Sequence, residues 1–165
     1  MAEFELVSEF PVPARRLFDL VRTPAFQEAM AFRFGASEVS VTEMEHKGDK
    51  VQMRIERADP KLDLTGKPSA GKLERSVILH DWDLPRMSSR WSRHYLDRGQ
   101  MVTVEGTIRI EPKGDEACRL VEKGIVDIKI PLLGRSLEKR VIAKLEEHQP
   151  ERVDFIMRNL GVPGI

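Results

Sequence analysis

The sequence predicts an α+β fold: a curved antiparallel sheet of about seven strands, two short helices after the first strand, and a long C-terminal helix. Three patterns indicate this fold. Apolar and polar residues alternate along most of the chain before Pro131, which is typical of strands with one buried face. Turns that contain glycine separate the alternating runs, which favours antiparallel hairpins. After Pro131, apolar residues recur about every four positions, the spacing of an amphipathic helix.

The N-terminal part of the chain predicts one strand followed by two short helices. Residues 3–10 alternate, and their apolar face carries Phe4, Leu6 and Phe10. Pro13 suits the first turn of a helix, because its missing N–H group costs nothing there. Thr23 and Pro24 predict the cap and first turn of a second helix, which Gly35 closes.

The middle of the chain predicts six more strands. The turns with glycine lie at 46–49, 97–100 and 112–115. Residues 58–71 hold two prolines and two glycines, so we predict a loop there. Gly106 and Gly124 fall inside neighbouring strands and predict a bent sheet.

The C-terminal helix is predicted from an apolar stripe. The stripe consists of Leu133, Leu137, Val141, Leu145, Val153, Ile156 and Leu160. Pro150 lies inside this stripe and should kink the helix or split it in two.

The composition excludes several classes of protein. The 165 residues include 27 basic and 27 acidic ones, so the chain lacks the positive charge of a nucleic-acid-binding domain. Cys118 is the only cysteine, which excludes an intramolecular disulfide and a cysteine-based zinc cluster. The sequence shows neither a signal peptide nor a long apolar run, so we expect a cytoplasmic protein without stable membrane insertion.

The order of the predicted elements resembles the helix-grip fold of the START-like (SRPBCC) superfamily. That superfamily includes lipid-transfer START domains, birch-pollen-allergen-like proteins, polyketide cyclases and dehydratases, and a co-chaperone activator domain. Residues 10–18, 104–115 and 124–139 more closely resemble a bacterial family of unknown function within it. The resemblance implies that residues 1–165 form one domain, in which the sheet curls around the C-terminal helix and encloses a cavity. The two short helices would close one end of that cavity, and no cofactor is implied.

A cavity of this kind would be lined by inward side chains of the sheet, the long helix and the short helices. The candidate ligand-binding residues are Phe26, Met30, Met53, Leu79, Met87, Trp91, Arg93, Tyr95, Val104, Leu120, Leu137 and Val141. An apolar pocket with a few polar anchors is the usual form of a small-molecule site. The alternative is that these side chains only fill the core, which apolar periodicity alone explains.

Two of these residues could anchor a polar group of a ligand. Arg93 and Tyr95 share a strand face with Met87 and Trp91, and the guanidinium group could hold a carboxylate or a phosphate. The alternative is a shifted register in which Arg90 and His94 face inward.

The sequence predicts no catalytic residue and no metal site. His80 and Asp81 would point to opposite faces of a strand, and the other histidines lack the spacing of metal ligands. A nucleophile motif such as Gly-x-Ser-x-Gly is also absent from the sequence.

Three functions remain. The first is a carrier or sensor that binds a small hydrophobic, lipid- or polyketide-like ligand, which we prefer because catalytic motifs are absent. The second is a cyclase- or dehydratase-type enzyme in which Arg93, Tyr95, His80 or His94 moves protons. The third is a protein-interaction module like the co-chaperone domain, which would need no cavity.

Overall fold

The computed structural model describes residues 1–63 and 65–163, and it confirms the predicted α+β architecture. The seven strands are β1 (Ala2–Phe10), β2 (Glu38–Lys47), β3 (Lys50–Leu62), β4 (Pro68–Asp83), β5 (Ser88–Tyr95), β6 (Val102–Pro112) and β7 (Cys118–Ile128). The helices are α1 (Ala14–Val21), α2 (Pro24–Arg33) and α3 (Gly134–Asn159), and a 3-10 turn spans Gly99–Met101. Leu64, within the predicted loop, and Gly164 and Ile165, at the end of the predicted domain, lie outside the described residues.

The seven strands form one antiparallel sheet in the order β1-β7-β6-β5-β4-β3-β2. Apart from the β1–β7 pair, every neighbouring pair in this sheet is consecutive in sequence, as the hairpin turns predict. The predicted cap of α2 is also confirmed, because the Thr23 hydroxyl accepts a hydrogen bond from the Phe26 amide at 3.2 Å.

The predicted loop at 58–71 is wrong, because β3 and β4 continue through most of it as a long hairpin. Asp63 holds the turn: its carboxylate accepts hydrogen bonds from the backbone N–H groups of Thr65 at 2.8 Å and Lys67 at 3.0 Å. The strand tolerates Pro60 because the pairing register shifts between Pro60 and Leu62.

Helix α3 runs without interruption through Pro150, so the predicted split does not occur. Contacts to the sheet hold the helix on both sides of the proline, from Gln149 before it and from Arg152, which pairs with Glu122 of β7, after it. Gln149 donates hydrogen bonds to the Val7 carbonyl at 2.8 Å and to the Ser8 hydroxyl at 3.0 Å. These tertiary contacts offset the backbone hydrogen bond that proline removes.

Gly106 and Gly124 pair directly with each other across β6 and β7. A Cβ atom at Gly106 would lie 2.1 Å from the Lys123 carbonyl oxygen, and one at Gly124 would lie 2.5 Å from the Phe4 ring. Only glycine therefore permits this close approach of β1, β7 and β6.

The core consists of two clusters under the sheet. One joins the N-terminal helices and the end of α3 to the sheet, around Phe10, Leu17, Phe18, Trp82, Ile156 and Leu160. The other lies beneath the first half of α3, around Phe4, Leu6, Val104, Val126 and Ile128. The stripe predicted on α3 thus packs against both clusters, except for Leu133, which precedes the helix and is exposed.

The start of α3 is tied closely to the end of β7. A Cβ atom at Gly134 would lie 2.1 Å from the Ile128 carbonyl oxygen, so the helix can begin this close only with glycine. The buried Glu138 carboxylate accepts a hydrogen bond from the Ile128 amide at 2.9 Å, and this bond is the main reason that the pKa of Glu138 is lowered. Within the described residues, no helix combines the length and apolar character needed to cross a bilayer.

Candidate functional site

The face of the sheet that α3 covers, here called the inner face, is defined by the strand register. Met53, His80 and Trp91 lie directly opposite one another on β3, β4 and β5. Because side chains two residues apart share a face, Arg93 and Tyr95 also lie on the inner face. The alternative register, with Arg90 and His94 inward, is therefore wrong.

Leu79 does not face inward as predicted. It pairs with Arg54 and Ser92 on the opposite face, where 36% of its surface is exposed. Strand β4 instead turns Ser76, His80 and Trp82 inward. The two polar side chains are accommodated because each finds a hydrogen-bond partner on β5.

Met87 is not part of strand β5, contrary to the prediction. It ends the turn after β4, with φ at 49°, and its amide donates a hydrogen bond to the Leu84 carbonyl at 3.4 Å. Its half-buried side chain packs against the cluster around Trp82.

The space between the inner face and α3 is bordered by side chains that are only half-buried. Helix α3 packs most closely on β7 and β1, at one side of the sheet. Farther across, Trp91 and Tyr95 of β5 and Leu137 and Val141 of α3 are half-buried, although all four belong to the second apolar cluster. We call the space bordered by these four residues and Arg93 the inner groove.

Arg93, which borders the inner groove, is held in place by its neighbours. Its Nε donates a hydrogen bond to the Ser76 hydroxyl at 3.1 Å, and its Nη2 lies 3.3 Å from a carboxylate oxygen of Asp59. The guanidinium carbon lies 4.9 Å from the centre of the Tyr95 ring, a cation–π contact. Asp59 also pairs with Arg57 at 2.6 Å, so two guanidinium groups share one carboxylate.

The other predicted residues lie in the packed core. Phe26, Met53, Val104 and Leu120 are buried, and Met30 packs half-buried against the first cluster. Phe26 contacts Phe155 of α3, with ring centres 5.7 Å apart, so α2 closes the fold at this end. The structure therefore brings five predicted residues to the inner groove, namely Trp91, Arg93, Tyr95, Leu137 and Val141. The five named in this paragraph lie in the core instead.

His80 is buried beside the groove as a neutral side chain. Its ring stacks on Trp82 at 4.8 Å, and its Nδ1 shares a hydrogen bond of 2.9 Å with the Ser89 hydroxyl. Burial lowers the pKa of His80 to about 4. His94, the other histidine weighed for proton transfer, is exposed on the outer face.

One polar link beneath α3 had no signal in the sequence. Arg152 of α3 reaches the Glu122 carboxylate on the inner face of β7 at 2.9 Å, and both side chains are largely buried. The two residues are separated by 30 positions. Only the docking of α3 on the sheet brings them together.

Several surface depressions lie away from the inner groove, and two of them bear on the site. One of about 630 Å³ lies on the outer face, bordered by Met44, Leu79, Asp81 and Arg90 among others. The other, about 750 Å³ and more apolar, lies between β1 and the second half of α3. Its border includes Val7, Phe10, Gln149, Val153 and Met157, none of which was a predicted ligand-binding residue.

Among residues 1–63 and 65–163, no three His, Cys, Asp or Glu side chains converge as metal ligands would. Cys118 is buried, and burial raises the pKa of its thiol to about 11.

Solved structures share this architecture at low sequence identity. The Zhui aromatase/cyclase from a Streptomyces species is 14% identical, with a TM-score of 0.64 over 97% of this chain and 93% of its own. Norcoclaurine synthase from Thalictrum flavum, in complex with dopamine and hydroxybenzaldehyde, is 10% identical, with a TM-score of 0.60 over 96% and 86%. A START superfamily protein from Mycobacterium smegmatis is 15% identical, with a TM-score of 0.58 over 94% and 97%.

The fold is thus that of the START-like helix-grip proteins, as the order of elements predicted. Residues 5–158 match the family described as Protein of unknown function (DUF2505), and the chain belongs to that family. Comparison with curated protein sequences finds no significant match.

Proposed function

We propose that this protein binds a small hydrophobic ligand in the inner groove and holds an anionic oxygen group of that ligand with Arg93. The observation that carries the proposal is the Arg93 guanidinium group, which Ser76 and Asp59 hold fixed beside half-buried apolar side chains. Sites for small molecules commonly combine apolar walls with a few placed polar groups.

The charges around Arg93 favour an anion. Arg57 and Arg93 share Asp59, so this cluster of three carries one positive charge in excess. Arg93 contacts Ser76 and Asp59 through its Nε and Nη2, which leaves Nη1 for a carboxylate or phosphate oxygen. The Tyr95 ring holds the guanidinium plane from one side.

Trp91 supports a ligand in the same place. Its indole N–H is buried without an acceptor among the described residues. Buried donors are rarely left unpaired, and a ligand oxygen would satisfy this one. The complex of norcoclaurine synthase with dopamine and hydroxybenzaldehyde shows that a protein of this fold can hold small aromatic molecules.

A groove-filling variant tests the location. Val141→Trp should fill the inner groove, whereas Ala143→Trp places the same side chain on the exposed face of α3. With decanoate at about 100 times its Kd, the wild type and Ala143→Trp should gain about 2.7 kcal/mol of stability. That gain is roughly 5–10 °C in Tm for a domain of this size.

Val141→Trp should fold and lose most of this gain. Val7→Trp fills the depression beside β1 and serves as a second control. If Val7→Trp loses the gain and Val141→Trp keeps it, the ligand binds beside β1 and the proposal is wrong. If the protein is a carrier, decanoate recovered from the complex should be chemically unchanged.

A further inference from the structure

The end of the sheet at which β7 passes into α3 carries several exposed apolar side chains. Leu96 and Met101 lie at the β5–β6 connection, and Leu132 and Leu133 lie between β7 and α3. The Lys129 amide donates a hydrogen bond to the Met101 carbonyl at 2.7 Å, which joins the two connections. We call these four side chains the apolar tip.

Leu132 is the strongest single sign that the tip has a function. Its φ is 68°, in the left-handed region that costs a bulky residue roughly 1–2 kcal/mol. Its side chain is fully exposed, with a relative surface of 104%. The exposed leucine side chain adds nothing to the core, and backbone outliers of this kind tend to mark functional segments.

The charge around the tip is positive in a chain whose net charge is zero. Residues 127–140 hold four basic side chains, Lys129, Arg135, Lys139 and Arg140, against two acidic ones. One of the two acids, Glu138, is buried and bound to the Ile128 amide. Exposed leucines with an excess of basic residues close in sequence match a surface with an apolar interior and anionic headgroups.

We propose that the apolar tip docks this protein transiently on an anionic lipid bilayer. Leu96 directly follows Tyr95, so docking would place the end of the inner groove at the membrane surface. Leu132 and Leu133 would enter the interface, while Lys129, Arg135 and Lys139 would contact the headgroups. Docking does not require a ligand in the inner groove, so the two proposals are tested independently.

Flotation with vesicles tests this directly. The full chain should bind to vesicles of phosphatidylcholine that contain about 30% phosphatidylserine. It should bind much less to vesicles of phosphatidylcholine alone. Leu132→Asn should weaken binding about tenfold. Asparagine tolerates a positive φ, so this variant should be at least as stable as the wild type. Lys129→Gln and Arg135→Gln should each weaken binding about fivefold.

Met44→Asn is the control, because Met44 is also an exposed apolar side chain but lies on edge strand β2 at the far side of the sheet. It should bind as the wild type does. The proposal is overturned if the wild type does not float with anionic vesicles, or if Leu132→Asn floats as well as the wild type. It is also overturned if Leu132→Asn instead converts a dimer to a monomer by light scattering, since the tip would then be an interface between copies.

Discussion

His80 should make the stability of this protein fall steeply as the pH drops below neutral. The side chain is buried and uncharged, and burial lowers its pKa to about 4, whereas an unfolded histidine titrates near 6.5. Between these two values the unfolded chain binds a proton that the folded chain does not. The contribution of His80 to the free energy of unfolding is therefore fully present above its pKa in the unfolded chain. It is lost as the pH falls toward its pKa in the folded chain.

The size of the effect follows from the difference between the two pKa values. Integration from pH 7 to pH 5 gives a loss of about 2 kcal/mol for this single group. The carboxylates whose pKa values are lowered, such as Asp83 and Glu138, contribute mainly at lower pH. The interval from pH 5 to 7 thus isolates the histidine.

Urea unfolding at pH 7 and at pH 5 measures this loss, with His80→Gln as the non-titrating variant. The variant should lose much less stability than the wild type over the same interval, whatever its stability at pH 7. His94→Gln, on the exposed outer face, should behave as the wild type does. Equal losses in the wild type and His80→Gln would show that His80 is not a buried neutral group.

Three further changes test the fold and its site. Gly106→Ala should lower the free energy of unfolding, measured in urea, by about 1–3 kcal/mol because the new Cβ meets a backbone oxygen. Thr107→Ala, the control, should leave the free energy of unfolding unchanged. Cys118 should react with a thiol reagent only in urea, because its thiol is buried and its pKa is about 11; rapid reaction of the folded protein would contradict its burial. Arg152→Gln should lower stability by about 1–3 kcal/mol by leaving the Glu122 carboxylate unpaired beneath α3, and an unchanged unfolding curve would refute this role.

Most of the fold could be predicted from the sequence because it rests on local patterns. Thr23 and Pro24 start α2, and turns with glycine separate most strands. The hairpin at 58–71 could not be predicted. Its prolines and glycines are typical of loops, and only the long pairing of β3 with β4 shows that they lie in strands.

The candidate site was predicted less completely because it depends on partners far apart in sequence. Leu79 was placed inward since apolar residues usually face the core. The register instead buries His80, which pairs with Ser89, and Ser76, which pairs with Arg93. The position of Arg93 on the inner face was predicted, but the sharing of Asp59 with Arg57 has no sequence pattern.

The most direct test of ligand recognition by Arg93 compares an acid with its alcohol. Calorimetric titration should show that the wild type binds decanoate more tightly than decanol. Arg93→Gln should weaken decanoate binding roughly 10–100-fold, the worth of a hydrogen bond to a charged group, and leave decanol binding nearly unchanged. Equal affinity of the wild type and Arg93→Gln for decanoate would contradict the proposal that Arg93 holds an anionic group in the inner groove.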